Sequence, residues 1–189
     1  MRPRIAIAAG LGLVALAAAA SVQESQDIRF GFGRPASVEE IARVDIDIMP
    51  DGTGLPEGRG TVAEGAIIYQ EKCLACHGPT GREGPNDRLV GRVPRDAFPF
   101  ANDRDYRLTI GNYWPYATTL YDYLNRAMPF DRPGSLAANE VYSLVALLLH
   151  WNKIIPEDFV VNRETLPQVR MPARDRFVPD NRTGGPIVR

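Results

Sequence analysis

The feature that most constrains this chain is the pentapeptide Cys73-Leu74-Ala75-Cys76-His77. It contains the only two cysteines of the chain, three positions apart, and a histidine follows directly. This spacing is typical of a covalently attached c-type haem, in which two thiols bond to the haem vinyl groups and the histidine ligates the iron. One helical turn places both sulfurs along one edge of the macrocycle. The sequence therefore predicts one haem c, held by Cys73 and Cys76, with His77 as an iron ligand.

Two other uses of the cysteine pair fit the sequence less well. A redox dithiol of the thioredoxin kind is expected in a βαβ setting, whereas the residues around Cys73 have a helical pattern. A closed zinc site needs two further Cys or His ligands. The only other histidine is His150, more than seventy residues downstream.

The N-terminus has the three parts of an export signal. Arg2 and Arg4 precede an apolar run that begins at Ile5, and small residues follow at 18–20. We predict a signal peptide at residues 1–20, cleaved before Ser21, a periplasmic location, and no membrane contact after cleavage. An uncleaved anchor is the alternative, although the apolar run falls short of a comfortable membrane span.

Charge excludes one class of partner. The chain has 22 basic and 23 acidic residues, and loss of Arg2 and Arg4 with the signal changes its net charge from −1 to −3. Basic and acidic residues are interspersed throughout, so no nucleic-acid partner is expected.

The rest of the chain divides into an N-terminal arm (21–60), a haem domain (61–152) and a C-terminal tail (153–189). In the arm, a capping-box pattern predicts a short helix at 37–43, and apolar–acidic alternation predicts an extended strand at 44–49. Such an arm either lies across its own domain or adds to a partner. The tail alternates arginines with isolated apolar residues, which leaves two possibilities: disorder, or an arm that wraps a partner protein.

The haem domain is predicted to be helical. Thr61 and Glu64 form a capping box for a helix at 62–73, and Gly65 within it indicates close approach of another helix. Further helices are expected at about 103–110, 117–126 and 137–152. The candidate N-caps of the last helix are Ser135 and Asn139, and its end at 146–149 is apolar all round.

The loop at 78–100 is long for a compact domain, and wrapping one face of a haem would explain its length. The second ring nitrogen of His77 needs an acceptor that fixes the ring. A backbone carbonyl at Gly84–Pro85 is one candidate, and an ordinary turn there is the alternative.

Met128 is the candidate for the second iron ligand. A thioether suits low-spin haem iron, and Pro129 restricts the loop that follows. Packing in the core is the alternative, and Met49 and Met171 are less suited because they lie in the arm and the tail.

Three residues, Trp114, Tyr116 and Arg126, are candidates for binding the haem propionates. Tyr and Trp carry polar atoms that need partners when buried, and buried propionates need donors. The same residues could be ordinary core.

The order of Gly65 and Tyr69, the CxxCH motif, Met128-Pro129 and a terminal helix resembles a class I cytochrome c over about 61–152. Longer stretches carry a closer resemblance, to the SoxD-type cytochrome c subunit of sulfane dehydrogenases. They are the stretches from Asp45 to Pro56, Ile110 to Thr119, Arg126 to Phe130 and Val169 to Arg174. One departure from many class I cytochromes is Leu147, where the last helix often has an aromatic residue. Either Tyr142 compensates for it or the packing differs.

The resemblance implies an all-α class I cytochrome c fold, with three to five helices around one covalent haem and extended arms at both ends. It also implies an electron-transfer subunit that is no enzyme on its own. Its partner would be a molybdenum-cofactor subunit that oxidises sulfane sulfur, and a small periplasmic carrier would receive the electrons. The sequence leaves open a sulfite dehydrogenase cytochrome, a free shuttle, or a five-coordinate haem enzyme or sensor.

Overall fold

A computed structural model of the chain describes residues 32–92, 99, 103 and 105–178. Two compact units divide at Ser37, and residues 32–37 of the first contain neither helix nor strand. The second unit holds every element named below; the predicted signal at 1–20 lies outside the described residues. The elements are α1 (Val38–Ala42), β1 (Arg59–Gly60), α2 (Val62–Lys72), α3 (Leu74–His77), α4 (Ala117–Ala127), α5 (Ala138–Trp151) and β2 (Val161–Asn162). The predicted all-α class is confirmed.

The helix α2 begins at the predicted capping box. The Thr61 hydroxyl accepts a hydrogen bond from the Glu64 backbone N–H (3.3 Å), and the Glu64 carboxylate accepts one from the Thr61 N–H (2.9 Å). The close approach predicted at Gly65 is also confirmed, because a Cβ atom there would lie 2.7 Å from the carbonyl carbon of Ser143 in α5. The crossing of α2 and α5 forms the centre of the fold.

The helix α5 is buried on all sides along most of its length. All nine residues from Val141 to Leu149 are buried, as predicted for the end of this helix. The predicted caps are wrong. The Glu140 carboxylate accepts a hydrogen bond from the Ala137 N–H (2.9 Å), and the Asn139 side chain instead accepts one from the Arg59 N–H (2.9 Å) of β1.

The position of Leu147 is explained by a different packing. Leu147 is buried where α5 crosses α2, and a Cβ atom on Gly65 would be 2.9 Å from the Leu147 Cβ. An aromatic pair lies one turn further along α2 and α5, where the rings of Tyr69 and Trp151 meet edge to face with centroids 4.8 Å apart. Tyr142 packs elsewhere, against Tyr121, with ring centroids 4.6 Å apart.

The arm confirms the short helix and corrects the strand. Helix α1 matches the prediction at 37–43, but residues 44–49 form no strand. The Ile48 N–H donates to the Asp122 carboxylate (3.0 Å) and not to a neighbouring strand, because no strand edge lies beside it among the described residues. Ile48 and Leu55 join the hydrophobic core, so this part of the arm lies across its own domain.

The helix expected at 103–110 is also absent, since residues 103 and 105–110 form turns and irregular backbone. The Asn112 side chain accepts a hydrogen bond from the Thr109 N–H (2.7 Å) and donates one to the Arg107 carbonyl (3.1 Å). These bonds compete with helical pairing of the same backbone groups. The helix predicted at 117–126 is confirmed as α4.

The C-terminal tail, as far as 178, packs on its own domain. Strand β2 pairs antiparallel with β1, while Leu166 and Met171 are buried. Disorder does not describe these residues, because apolar side chains such as Leu166 and Met171 fill gaps in the domain surface. Contact of the tail with a partner stays a prediction. Within the part of the chain that the structure describes, no helix is long and apolar enough to cross a membrane.

Candidate haem site

The attachment motif lies where α2 continues into the short helix α3. The Cys73 N–H donates to the Tyr69 carbonyl (2.9 Å), and the His77 N–H donates to the Cys73 carbonyl (3.0 Å). Both thiols are free of disulfides; Cys73 is half-buried and Cys76 is exposed. Burial raises the pKa of the Cys73 thiol to about 11. A reactive dithiol needs a lowered thiol pKa, so this environment argues against the redox-dithiol alternative.

The orientation of His77 is set by a backbone carbonyl. Its Nδ1 lies 2.9 Å from the Asp87 carbonyl oxygen. A carbonyl can only accept, so Nδ1 carries the proton and the lone pair of Nε2 is available for a metal. The predicted acceptor at Gly84–Pro85 is therefore wrong.

The Gly84–Pro85 turn serves a different purpose. A Cβ atom on Gly84 would lie 2.6 Å from the carbonyl carbon of Cys76, so the loop can pass this closely only with glycine there. The Asn86 N–H then donates to the Cys76 carbonyl (3.1 Å). Pro85 itself is exposed. This close passage brings the Asp87 carbonyl to the imidazole.

Two further side chains hold this loop, and the sequence analysis did not assign either role. The buried Tyr69 hydroxyl donates to the Gly78 carbonyl (2.9 Å). The Asn152 side chain accepts a hydrogen bond from the Gly91 N–H (3.0 Å) and donates one to the Leu148 carbonyl (2.8 Å). The available signal for Asn152 was its place directly after the last apolar residues of α5, a usual C-cap position.

Met128 lies directly after the end of α4. Its N–H donates to the Leu124 carbonyl (3.3 Å), and its half-buried side chain packs at the edge of the core. Of the other two described methionines, Met171 is buried within the tail and Met49 is exposed. Ligation by Met128 stays a prediction, and its position at the core edge agrees with it.

The three candidate propionate partners do not lie in one cluster of contacts. Each has a partner within the chain: Trp114 packs edge to face on Tyr123, Tyr116 lies 4.5 Å beneath the Arg174 guanidinium, and Arg126 pairs with Asp122. These contacts give each side chain a structural role. Their role toward the propionates stays a prediction.

The residues present fit a haem c and not a zinc ion. Among the described residues, no group of three or more His, Cys, Asp and Glu side chains could hold a metal ion. Two unpaired thiols, an imidazole with a free Nε2 and a thioether at the core edge are the donor set of a c-type haem.

Comparisons with known proteins also indicate a cytochrome. Residues 60–148 match the family described as cytochrome c oxidase, cbb3-type, subunit III. The chain is 26% identical over 121 residues to the thiosulfate dehydrogenase of Psychrobacter arcticus. This match covers 62% of this chain and 34% of that protein. The chain thus spans about a third of the length of this curated relative.

A solved structure is more similar. A chain in the crystal structure of the sulfane dehydrogenase SoxCD from Paracoccus pantotrophus is 37% identical, with a TM-score of 0.69. The match covers 81% of this chain and 73% of that one. Fold, motif and matches define a c-type cytochrome. Within that class, the chain belongs to the family of SoxD-type cytochrome c subunits.

Proposed function

We propose that the chain is a periplasmic cytochrome with a single haem that takes electrons from a molybdenum-cofactor sulfane dehydrogenase subunit. It passes them to a small carrier during the oxidation of thiosulfate and related sulfur compounds. The observation that carries the proposal is the 37% identity to SoxCD over 81% of this chain. The general cytochrome family matches only residues 60–148. The match to the SoxCD chain is longer, so it also includes residues outside that range.

Each residue of the site has a defined task in this proposal. The bound haem supplies an iron that alternates between the ferric and ferrous states and carries one electron. Cys73 and Cys76 would hold the group covalently, and His77 would bind the iron through Nε2 while the Asp87 carbonyl fixes its ring. The Met128 thioether would be the second ligand and would raise the reduction potential of the haem. Two protein ligands leave no position for substrate, so the chain transfers electrons and performs no catalysis by itself.

Exposed apolar side chains support a protein partner. Phe130 follows the proposed ligand Met128 by two positions and is 81% exposed. Val38 and Val44, in and directly after α1, are also largely exposed. Large exposed apolar groups often belong to protein contact surfaces. A partner that covers Phe130 would contact a residue two positions from the proposed iron ligand.

The ligand assignment is tested optically. In the oxidised protein, Met128→Ala should abolish the weak sulfur-to-iron absorption band, whereas Met49→Ala, at an exposed position, should keep it. Survival of the band in Met128→Ala would show that another group ligates the iron. Rapid binding of carbon monoxide to the reduced wild type would support the five-coordinate enzyme or sensor and contradict electron transfer.

The partner assignment is tested by co-expression. The cytochrome is produced together with a molybdenum-cofactor subunit of the sulfane dehydrogenase type from the same genome, and the complex is purified through a tag on that subunit. We expect co-purification, and reduction of the haem when a carrier protein bearing sulfane sulfur is added. Reduction by free sulfite instead would identify a sulfite dehydrogenase cytochrome. A cytochrome that remains a separate monomer would be a free shuttle.

A further inference from the structure

The N-terminal arm and the C-terminal tail are joined to each other. Strands β1 and β2 pair, and the Arg163 guanidinium forms an ion pair with the Glu57 carboxylate. Closer to the start of the arm, a Cβ atom on Gly52 would lie 2.5 Å from the Pro167 ring. Residues 48–60 and 161–177 therefore form one connected layer, which we call the frame.

The arm side of the frame is attached to the first turn and to the middle of α4. The Ile48 N–H donates to the Asp122 carboxylate (3.0 Å), and the Thr118 hydroxyl donates to the Pro50 carbonyl (3.2 Å). Asp122 is 8% exposed and also pairs with Arg126, one turn further along α4. A buried carboxylate with both partners in place is a costly contact to break, because loss of it leaves polar groups unpaired.

The tail side of the frame is attached to the start of α4. The Arg174 guanidinium stacks 4.5 Å above the ring of Tyr116, which is the residue that precedes the helix. The rings of Tyr113 and Phe177 meet edge to face at 5.6 Å, and the 3₁₀ turn Leu166–Gln168 lies against α4. Tyr116 provides no side-chain hydrogen bond to cap the helix. The tail therefore acts together with the Thr118–Pro50 contact of the arm to fix the start of α4.

The helix held in this way leads directly to Met128, its C-terminal neighbour. Since an α-helix is a stiff rod, contacts that fix its first and middle turns also fix the residue at its end. We propose that the frame positions the Met128 sulfur for the haem iron, with Asp122 and Arg174 as its positioning residues. This inference rests on the proposed ligation by Met128, and it assigns the described arm and tail residues to the redox centre.

The test compares single variants of the haem-loaded protein. In Asp122→Ala and Arg174→Ala, the sulfur-to-iron band should weaken, and added imidazole should bind the ferric iron about tenfold more tightly because Met128 leaves it more often. Arg170→Ala is the matched control. Arg170 lies on the same tail but is exposed and pairs with Asp175 (2.8 Å), so its loss should leave both readouts unchanged.

Each outcome decides between the proposals. If the variants unfold at lower denaturant but keep the wild-type band and imidazole affinity, the frame is only structural and the inference is overturned. If Asp122→Ala does not fold, the decision rests on Arg174→Ala, which changes a half-buried side chain and leaves the contact between Ile48 and Asp122 in place. If the wild type itself lacks the band, the ligation by Met128 fails and the frame proposal fails with it.

Discussion

The backbone of α2 at Gly65 lies directly against the backbone of α5 at Ser143, whose carbonyl carbon would be 2.7 Å from a Cβ atom at position 65. This crossing sets the direction in which α2 delivers Cys73 and the attachment motif. A side chain at position 65 would push the two helices apart.

Gly65→Ala should therefore destabilise the protein by about 1–3 kcal/mol, the usual cost of overpacking, despite the better helix propensity of alanine. Denaturant unfolding of the haem-loaded protein measures this. Ala63→Ser, on the exposed side of the same helix, should stay within about 0.5 kcal/mol of the wild type. Equal or greater stability of Gly65→Ala would show that the crossing can relax.

Tyr69→Phe should lower the stability of the protein, because the Tyr69 hydroxyl holds the residue directly after the attachment motif. The lost hydroxyl removes the shorter of two hydrogen bonds to the buried Gly78 carbonyl, which keeps the bond from the Gly81 N–H (3.3 Å), and this costs about 1 kcal/mol in the free energy of unfolding. Tyr123→Phe removes a hydroxyl from an exposed ring on α4 and is the matched control. If both variants unfold at the same denaturant concentration, the Tyr69 hydroxyl adds no stability to that of the Gly81 hydrogen bond.

Asn152→Ala should loosen the loop that contains Asp87, the residue whose carbonyl orients His77. It removes the acceptor of the Gly91 N–H and one of two donors to the Leu148 carbonyl, which keeps the backbone N–H of residue 152 (3.2 Å), and the unpaired Gly91 N–H costs about 1–3 kcal/mol. Amide hydrogen exchange at Gly91 should accelerate more than exchange within α2. Slow exchange at Gly91 in the variant would contradict this role, and Asn125→Ala on α4 provides the control for loss of an asparagine.

Glu140 should make stability depend on acid pH. The Lys72 ammonium (2.5 Å) and then the Ala137 N–H hold the pKa of the Glu140 carboxyl below its ordinary value. A lowered folded-state pKa contributes stability that is fully present above the unfolded-state value and is lost as the pH falls through the lowered one. The affected range therefore lies below about pH 4.5.

Glu140→Gln should accordingly lower stability at neutral pH and reduce the loss of stability as the pH falls below about 4.5. Urea unfolding at several pH values measures both effects. Glu71→Gln, at an exposed position of α2, should keep the wild-type profile. An unchanged slope in Glu140→Gln would assign the acid sensitivity to other carboxylates.

Patterns that act over one or two helical turns were predictable. The Thr61–Glu64 capping box, the close approach at Gly65 and the buried end of α5 each depend on neighbouring residues whose spacing the sequence states directly. The strand at 44–49 and the helix at 103–110 were wrong for a related reason. Their local patterns compete with hydrogen bonds to side chains, Asp122 in the first case and Asn112 in the second. Asp122 lies 74 residues from Ile48, beyond any local pattern.

The sequence alone determined the chemistry of the attachment motif, because covalent haem attachment depends on two thiols and an imidazole at fixed spacing. Only the tertiary structure decided that Asp87 orients His77, that Trp151 pairs with Tyr69, and that the tail covers its own domain. Such contacts depend on which surfaces the folded chain brings together. Apolar residues without a period, such as Leu166 and Met171, look alike in a disordered tail and in a packed one until the surface that receives them is known.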